Sequence, residues 1–166
     1  MTDRNLQLQE IIEENPGIQF REIMRSSGLK NGVLSHYLGK LEKNGIIKVA
    51  RGPRQTRFFP PKITEDQSIV IKALRKKTPR DLLLALVRLD GLEFSKLVKE
   101  VGKSQSTVSL YLAQLVKDGL VEIKIENQKK RYYIKARDLI DQLIEDYRPS
   151  LLEKPVSGFE DIFNSM

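Results

Sequence analysis

The stretch Gly28–Pro60 reads GLKNGVLSHYLGKLEKNGIIKVARGPRQTRFFP. Gly28 supplies a tight turn, because glycine enters the left-handed backbone region without steric cost. Leu34, Leu38 and Leu41 follow at i, i+4 and i+7, the spacing of one buried helix face. That spacing predicts a helix from about Lys30 to Asn44, stopped by Gly45. The β-branched run at 46–50 and the segment 56–60 predict two short strands of a hairpin. A basic loop around Gly52, Pro53 and Arg54 joins them. The predicted shape is a helix that runs directly into a positively charged hairpin.

Upstream, Leu8, Ile11 and Ile12 place a helix at residues 5–14, ended by the turn chemistry of Asn15, Pro16 and Gly17. Ile18 and Gln19 are too few for an independent strand but enough to add one rung to a small sheet. Residues 20–27 read as a second helix with Phe20, Ile23 and Met24 facing inward. Shifting the chain by 74 positions then superimposes residues 8–60 on a second stretch without a gap. Leu8 meets Leu82, Gly17 meets Gly91, Phe20 meets Phe94, Gly28 meets Gly102, and Ser35 meets Ser109. Tyr37, Leu38, Leu41, Lys43, Gly45 and Arg57 meet Tyr111, Leu112, Leu115, Lys117, Gly119 and Arg131. That is 11 identities in 53 positions, where chance gives about one in twenty. The register therefore implies two copies of one fold.

The 166 residues suit two small domains, and 40% apolar content is enough for packed cores. The net charge of +7 divides into +11 over residues 1–135 and −4 over residues 136–166. The excess positive charge travels with the repeated units, as a polyanion-binding surface requires. With no cysteine and one histidine, neither a disulfide framework nor a histidine–thiolate metal site is expected. No apolar run approaches the roughly 18 residues that span a membrane. The first residues, MTDRNLQLQE, lack a signal-peptide core, so a cytoplasmic protein is expected. No glycine-rich phosphate loop or paired catalytic carboxylates stand out, and the chain is expected not to be an enzyme.

Between the copies, Pro60 and Pro61 stop the first hairpin, and Thr64 reads as the N-cap of a helix over 65–77. Thr78 and Pro79 restart a helix, with proline at its first position. Leu82–Val87 is apolar nearly all round, so that helix should be covered on most sides. After the second hairpin, Leu139, Ile140, Leu143, Ile144 and Tyr147 form one stripe of a further helix. The expected division is 1–62, a connecting helix at 63–77, 78–135, a C-terminal amphipathic helix at 136–149 and an acidic tail at 150–166. The tail carries Phe159, Ile162 and Phe163 on one possible amphipathic turn. The fold class is mainly α with small β-hairpin wings, an α+β arrangement.

Each copy thus has the order helix, short strand, helix, glycine turn, helix, strand, basic loop, strand. The second copy adds the run Val101–Ser109 (VGKSQSTVS) and the exit Asp118-Gly119-Leu120-Val121. This resembles the winged helix-turn-helix, and most closely the tandem winged-helix transcriptional regulators of archaea and the MarR- and ArsR-like regulators. The resemblance covers about residues 5–60 and 79–134. It implies that the third helix of each copy enters the major groove of double-stranded DNA and that the wings meet phosphate or the minor groove. The implied DNA-facing residues of the first copy are Asn31, Gly32, Ser35, His36, Lys40, Arg51, Arg54 and Arg57. In the second copy they are Ser104, Gln105, Ser106, Thr107, Ser109, Lys124, Lys129 and Lys130. Two departures stand out. The usual Ser or Thr N-cap is Lys30 in the first copy, and a position often held by arginine is His36 in one copy and Leu110 in the other.

Two readings of function follow. The basic wings and small polar helix faces favour a DNA-binding transcriptional regulator, with the first copy contributing more through His36, Lys40 and its three arginines. Leu110, the acidic tail and the apolar run at 82–87 favour a tandem winged-helix scaffold or transcription-machinery subunit that binds proteins instead. No cofactor is implied. The stripe at 136–149 either packs back on its own chain or builds a homodimer, and the helices at 65–89 offer a second possible dimer surface.

Overall fold

A computed structural model describes residues 3–153. Its contacts divide the chain into two compact units. One holds the residues up to Ile63 and those from Ile144 onward; the other is Thr64–Leu143.

In the first unit, helix α1 (Asp3–Glu14) leads through a turn into strand β1 (Ile18–Gln19) and helix α2 (Phe20–Ser27). Helix α3 (Asn31–Lys43) follows, then strands β2 (Lys48–Arg51) and β3 (Thr56–Phe59). The three strands form an antiparallel sheet in the order β1-β3-β2, with Ile18 opposite Phe58 and Val49 opposite Phe58 on the other side. The expected single rung from Ile18 and Gln19 is present. Leu8, Ile12, Ile18, Ile23, Leu34, Leu38, Leu41, Ile47 and Phe58 make the core, with Phe20 and Met24 packed at its margin. The first wing strand begins at Lys48 rather than at residue 46, because Ile46 and Ile47 are spent turning the chain out of α3. The Ile46 amide bonds back to the Leu41 carbonyl at 2.9 Å, and Ile47 drops into the core.

In the second unit, helices α4 (Glu65–Leu74), α5 (Lys77–Arg88), α6 (Phe94–Val101) and α7 (Gln105–Lys117) precede strands β4 (Val121–Glu126) and β5 (Lys129–Ile134). Helix α8 (Arg137–Arg148) starts in this unit and ends in the first. Thr64 caps α4 as expected, in a reciprocal box with Gln67. The helix expected to reach residue 77 ends at Leu74. A continuous helix would drive the Pro79 ring into the Arg75 carbonyl four residues back. The chain instead breaks at Lys76 (φ −105°, ψ 135°). Helix α5 then starts at Lys77, so Pro79 lies third in its first turn rather than first, where a missing N–H still costs no helical bond. Tyr132 and Tyr133, neighbours on opposite faces of β5, are both half-buried. The last four residues of the 150–166 tail that are described, 150–153, continue from Pro149 as one π-helical turn. The remainder of the tail, including Phe159, Ile162 and Phe163, lies outside the described residues.

The repeat is visible in atomic detail. The Gly17 amide donates to the Phe58 carbonyl at 2.8 Å, and the Gly91 amide to the Tyr132 carbonyl at 3.0 Å. The Arg57 guanidinium donates to the Gly17 carbonyl at 2.7 Å, and Arg131 to the Gly91 carbonyl at 2.9 Å. Ile18 pairs with Phe58 through a two-residue strand, and Leu92 with Tyr132 through a single bridge. Gly17 and Gly91 sit at φ 83° and 80°, and a Cβ on Gly91 would come within 2.9 Å of the Tyr133 ring. Only glycine suits that close approach.

Arg57 therefore corrects the sequence reading. It is 6% exposed and serves as an internal clamp, holding the strand after the wing loop to the turn before β1. Burial lowers its pKa, partly offset by the charge of Glu22. Much of the apolar stripes offered as dimer surfaces is also already buried in this one chain, although Leu139 and Tyr147 of α8 are only half-buried. Ile140, Leu143 and Ile144 of α8 and Val70, Ile71, Leu74, Leu82, Leu83 and Leu86 of α4 and α5 are at most 7% exposed.

Arg57→Met leaves the Gly17 carbonyl without its charged donor and should cost about 2 kcal/mol in urea unfolding. Arg131→Met should cost less, because the half-exposed Arg131 site admits water as a replacement donor. Equal losses at the two sites would show that burial does not set the strength of the clamp.

Candidate nucleic-acid interface

Helix α3 buries Leu34, Leu38 and Leu41, which leaves its opposite face open. Asn31, Gly32, Ser35, His36, Gly39, Lys40 and Lys43 are all exposed there. The helix begins with Asn31, whose side-chain oxygen accepts from the Ser35 hydroxyl at 3.3 Å. Its N-cap is Lys30, which gives no side-chain cap, so the first-turn amides keep no partner from that residue. Such amides and the positive helix end suit a phosphate oxygen. The His36 ring stands edge-on to Tyr37 at 5.6 Å.

Helix α7 presents the corresponding face with different chemistry. Ser104 caps it, accepting from the Thr107 amide at 3.2 Å. The Ser104 hydroxyl also lies 2.9 Å from that of Thr107 and 3.2 Å from that of Ser106. Three of the hydroxyls expected to meet DNA are thus joined in a capping cluster at the helix start. Gln105 and Ser109 remain exposed and outward, as does Leu110 at 67%.

The wings differ more than the helices. In the first wing, Arg51 makes a two-pronged ion pair with Glu42 of α3 at 2.7 and 2.8 Å. The hydrogen bond from Arg51 holds the Glu42 carboxyl below its ordinary value, so the pair persists at neutral pH and is lost only as pH falls through that lowered value. Arg54 is exposed in the loop at 52–55, which is closed by a Gly52 amide to Gln55 carbonyl bond of 2.9 Å. Arg57 is withdrawn into the fold, where it also meets the Gln55 side chain.

In the second wing most of the positive charge is engaged locally. Lys124 lies 3.6 Å from Glu122 and stacks over Tyr133 at 4.8 Å. Lys129 lies 3.8 Å from Glu93, and Arg131 reaches Glu93 and Glu126. Lys130 stands outside these pairs. Of the residues named from sequence, the structure gathers Asn31, Gly32, Ser35, His36 and Lys40 on one helix face with Arg51 and Arg54 in the wing of the same unit. It sets Arg57 apart.

Sequence reading missed Glu42 as the partner of Arg51 and Glu93 as the partner of two wing cations. The repeat held a signal for the first. Shifted by 74, Glu42 and Arg51 become Val116 and Ile125, so both members of the pair turn apolar together.

A family model for winged helix-turn-helix DNA-binding domains matches residues 1–48. A model for the bacterial regulatory protein arsR family matches residues 76–122. The chain thus carries two winged helix-turn-helix units in tandem. A curated relative of this tandem winged-helix chain is an uncharacterized HTH-type transcriptional regulator of Methanocaldococcus jannaschii, 23% identical over 134 residues. The match covers 81% of this chain and 34% of the relative, so the chain spans about a third of that protein's length. Among solved structures, HlyU from Vibrio cholerae is 27% identical with a TM-score of 0.44, covering 50% of this chain and 92% of HlyU. MepR of Staphylococcus aureus is 16% identical with a TM-score of 0.36, covering 89% and 93%. Among the described residues no helix is long and apolar enough to cross a membrane, and no cluster of acidic and histidine side chains could hold a metal ion.

The two capping states of the tandem protein give a direct test. Ser104→Ala should destabilise the second unit by about 1 kcal/mol, and Lys30→Ser should stabilise the first by a comparable or smaller amount. Thermal unfolding monitored by circular dichroism measures both. A loss on Lys30→Ser would show that Lys30 makes a contact worth more than a cap.

Proposed function

We propose that this chain is a DNA-binding transcriptional regulator, not an enzyme, in which the first winged unit makes most of the contact. What supports the reading most is the face of α3 with Asn31, Gly32, Ser35, His36 and Lys40 open above a buried leucine stripe, beside an exposed Arg54. Asn31 and His36 can offer hydrogen bonds to base edges in the major groove. Lys40 and Arg54 can neutralise phosphates, and Ser35 can meet either.

In the second unit Gln105 is the side chain suited to adenine, by two hydrogen bonds, and Ser109 is a general polar contact. Ser104, Ser106 and Thr107 would contribute mainly by shaping the helix start. Lys130 is the wing cation available for phosphate, whereas Lys124 and Lys129 would first have to leave Glu122 and Glu93. Cytoplasmic action on double-stranded DNA follows from this reading. A homodimer on α8 or on α4 and α5 would have to use the surface these helices leave exposed, since the centres of their apolar stripes are buried within the chain.

Titrating the chain onto duplex DNA across a salt series tests the proposal. Neutralising about six phosphates gives a slope of log K against log salt of roughly −5. Arg54→Ala should make the slope shallower by about one, and Lys129→Ala should leave it unchanged. Glu42→Gln should steepen it by up to about one, by releasing Arg51 to phosphate. An Arg54 variant with unaltered affinity and slope would take the first wing out of the interface.

A further inference from the structure

The second wing carries an edge that the first has blunted. Among the described residues β4 pairs with β5 alone, so its other edge is open. The hairpin turns through Asn127 and Gln128, both at positive φ (51° and 66°), and closes on Glu126 opposite Lys129. In a hairpin with a two-residue turn, the closing pair exchanges backbone hydrogen bonds and every second pair thereafter does the same. Glu126, Lys124 and Glu122 therefore bond inward to β5. The amides and carbonyls of Ile125, Ile123 and Val121 point to the open edge.

The side chains along that edge are unusual for a surface strand. Ile123 is 42% exposed and Ile125 is 73% exposed, on one face of β4. Their counterparts in the first wing are Val49 and Arg51. There Arg51 and its Glu42 partner place charge on the edge strand β2, a common way of blocking strand addition. In the second wing the same two positions are Ile125 and Val116. An open edge bearing exposed isoleucines is a template for another strand.

We propose that β4 pairs antiparallel with β4 of a second copy of this chain, about a two-fold axis at Ile123. The sequence VEIKIE is self-complementary in that register. Ile123 faces its own copy, Val121 faces Ile125, and Glu122 faces Lys124 twice. Moving the axis by one residue on the strand brings Lys124 opposite Lys124, or Glu122 opposite Glu122, and like charges directly opposed repel. Placing it at Ile125 keeps two charge pairs but sets Ile123 against Asn127 in the turn. Placing it between residues opposes outward-pointing amides to inward-pointing ones, which forms no ladder. The pairing joins two two-stranded wings into one four-stranded sheet. It goes beyond DNA binding and does not depend on it, because it uses the edge of a wing whose cations are largely held by its own carboxylates.

Sedimentation equilibrium of the full chain without DNA tests the pairing. The parent chain should run at twice the chain mass. Glu122→Lys alone and Lys124→Glu alone each replace two attractive contacts by two repulsive ones and should raise the dimer dissociation constant roughly tenfold or more. An equimolar mixture of the two variants should recover the dimer, as should the double variant Glu122→Lys/Lys124→Glu on its own. Recovery in the mixture also excludes misfolding as the cause of the single-variant losses. A parent chain that stays monomeric at micromolar concentration overturns the proposal, as do single variants that dimerise like the parent. A monomer whose DNA affinity falls on Ile125→Ser also overturns it, and assigns the exposed isoleucines to a DNA groove instead.

Discussion

The hydrogen bond from a wing arginine to a glycine carbonyl forty residues earlier organises each unit. A winged helix must hold a mobile hairpin at a fixed angle to the helix beside it, and a two-stranded hairpin has little stability of its own. Here the glycine turn gives its amide to the wing strand and takes a guanidinium on its carbonyl, so both backbone groups of one buried turn are satisfied by the same strand. Arg57 and Arg131 are identical in the two copies because this task is identical. The glycine is required because its backbone is left-handed and, at Gly91, because a tyrosine ring fills the place of a side chain.

Around that shared clamp the copies have diverged where they meet solvent. The first unit keeps an uncapped, polar α3 and an arginine-bearing wing braced by Glu42. The second keeps a well-capped α7, ties most of its wing cations to Glu93, Glu122 and Glu126, and exposes Ile125 where the first has Arg51. The same scaffold thus presents one face whose chemistry suits a polyanion and one edge whose chemistry suits another strand. The electrostatic excess of the sequence is real, but much of it in the second unit is locally compensated.

Much of this was legible in the sequence because it is periodic. The leucine spacing of α3 and α7, the glycine turns and the 74-residue register are local patterns, and they led to the right elements and to the winged fold. The helix break before Pro79 came two residues earlier than expected, since the proline acts on a carbonyl four residues back. What the sequence concealed was pairing across space. Arg57 looks like its wing neighbours Arg51 and Arg54 in a linear reading, yet one is a buried clamp, one is held by Glu42 and one is exposed. Nothing local distinguishes them except that Arg57 alone recurs in the second copy. Likewise nothing along the α8 stripe told in advance that Ile140, Leu143 and Ile144 are buried within the chain while Leu139 and Tyr147 stay partly exposed.

On the proposed reading, DNA contact is concentrated on α3 and the first wing, while the open strand edge of the second wing serves a different surface. Hydrogen exchange of the full chain with and without duplex DNA measures this directly. New amide protection on binding is expected at residues 31–40 and 51–55, with strand β4 of the second wing, residues 121–126, unchanged by DNA. DNA-dependent protection at 121–126 with none at 51–55 is the opposite result and places the contact on the second wing.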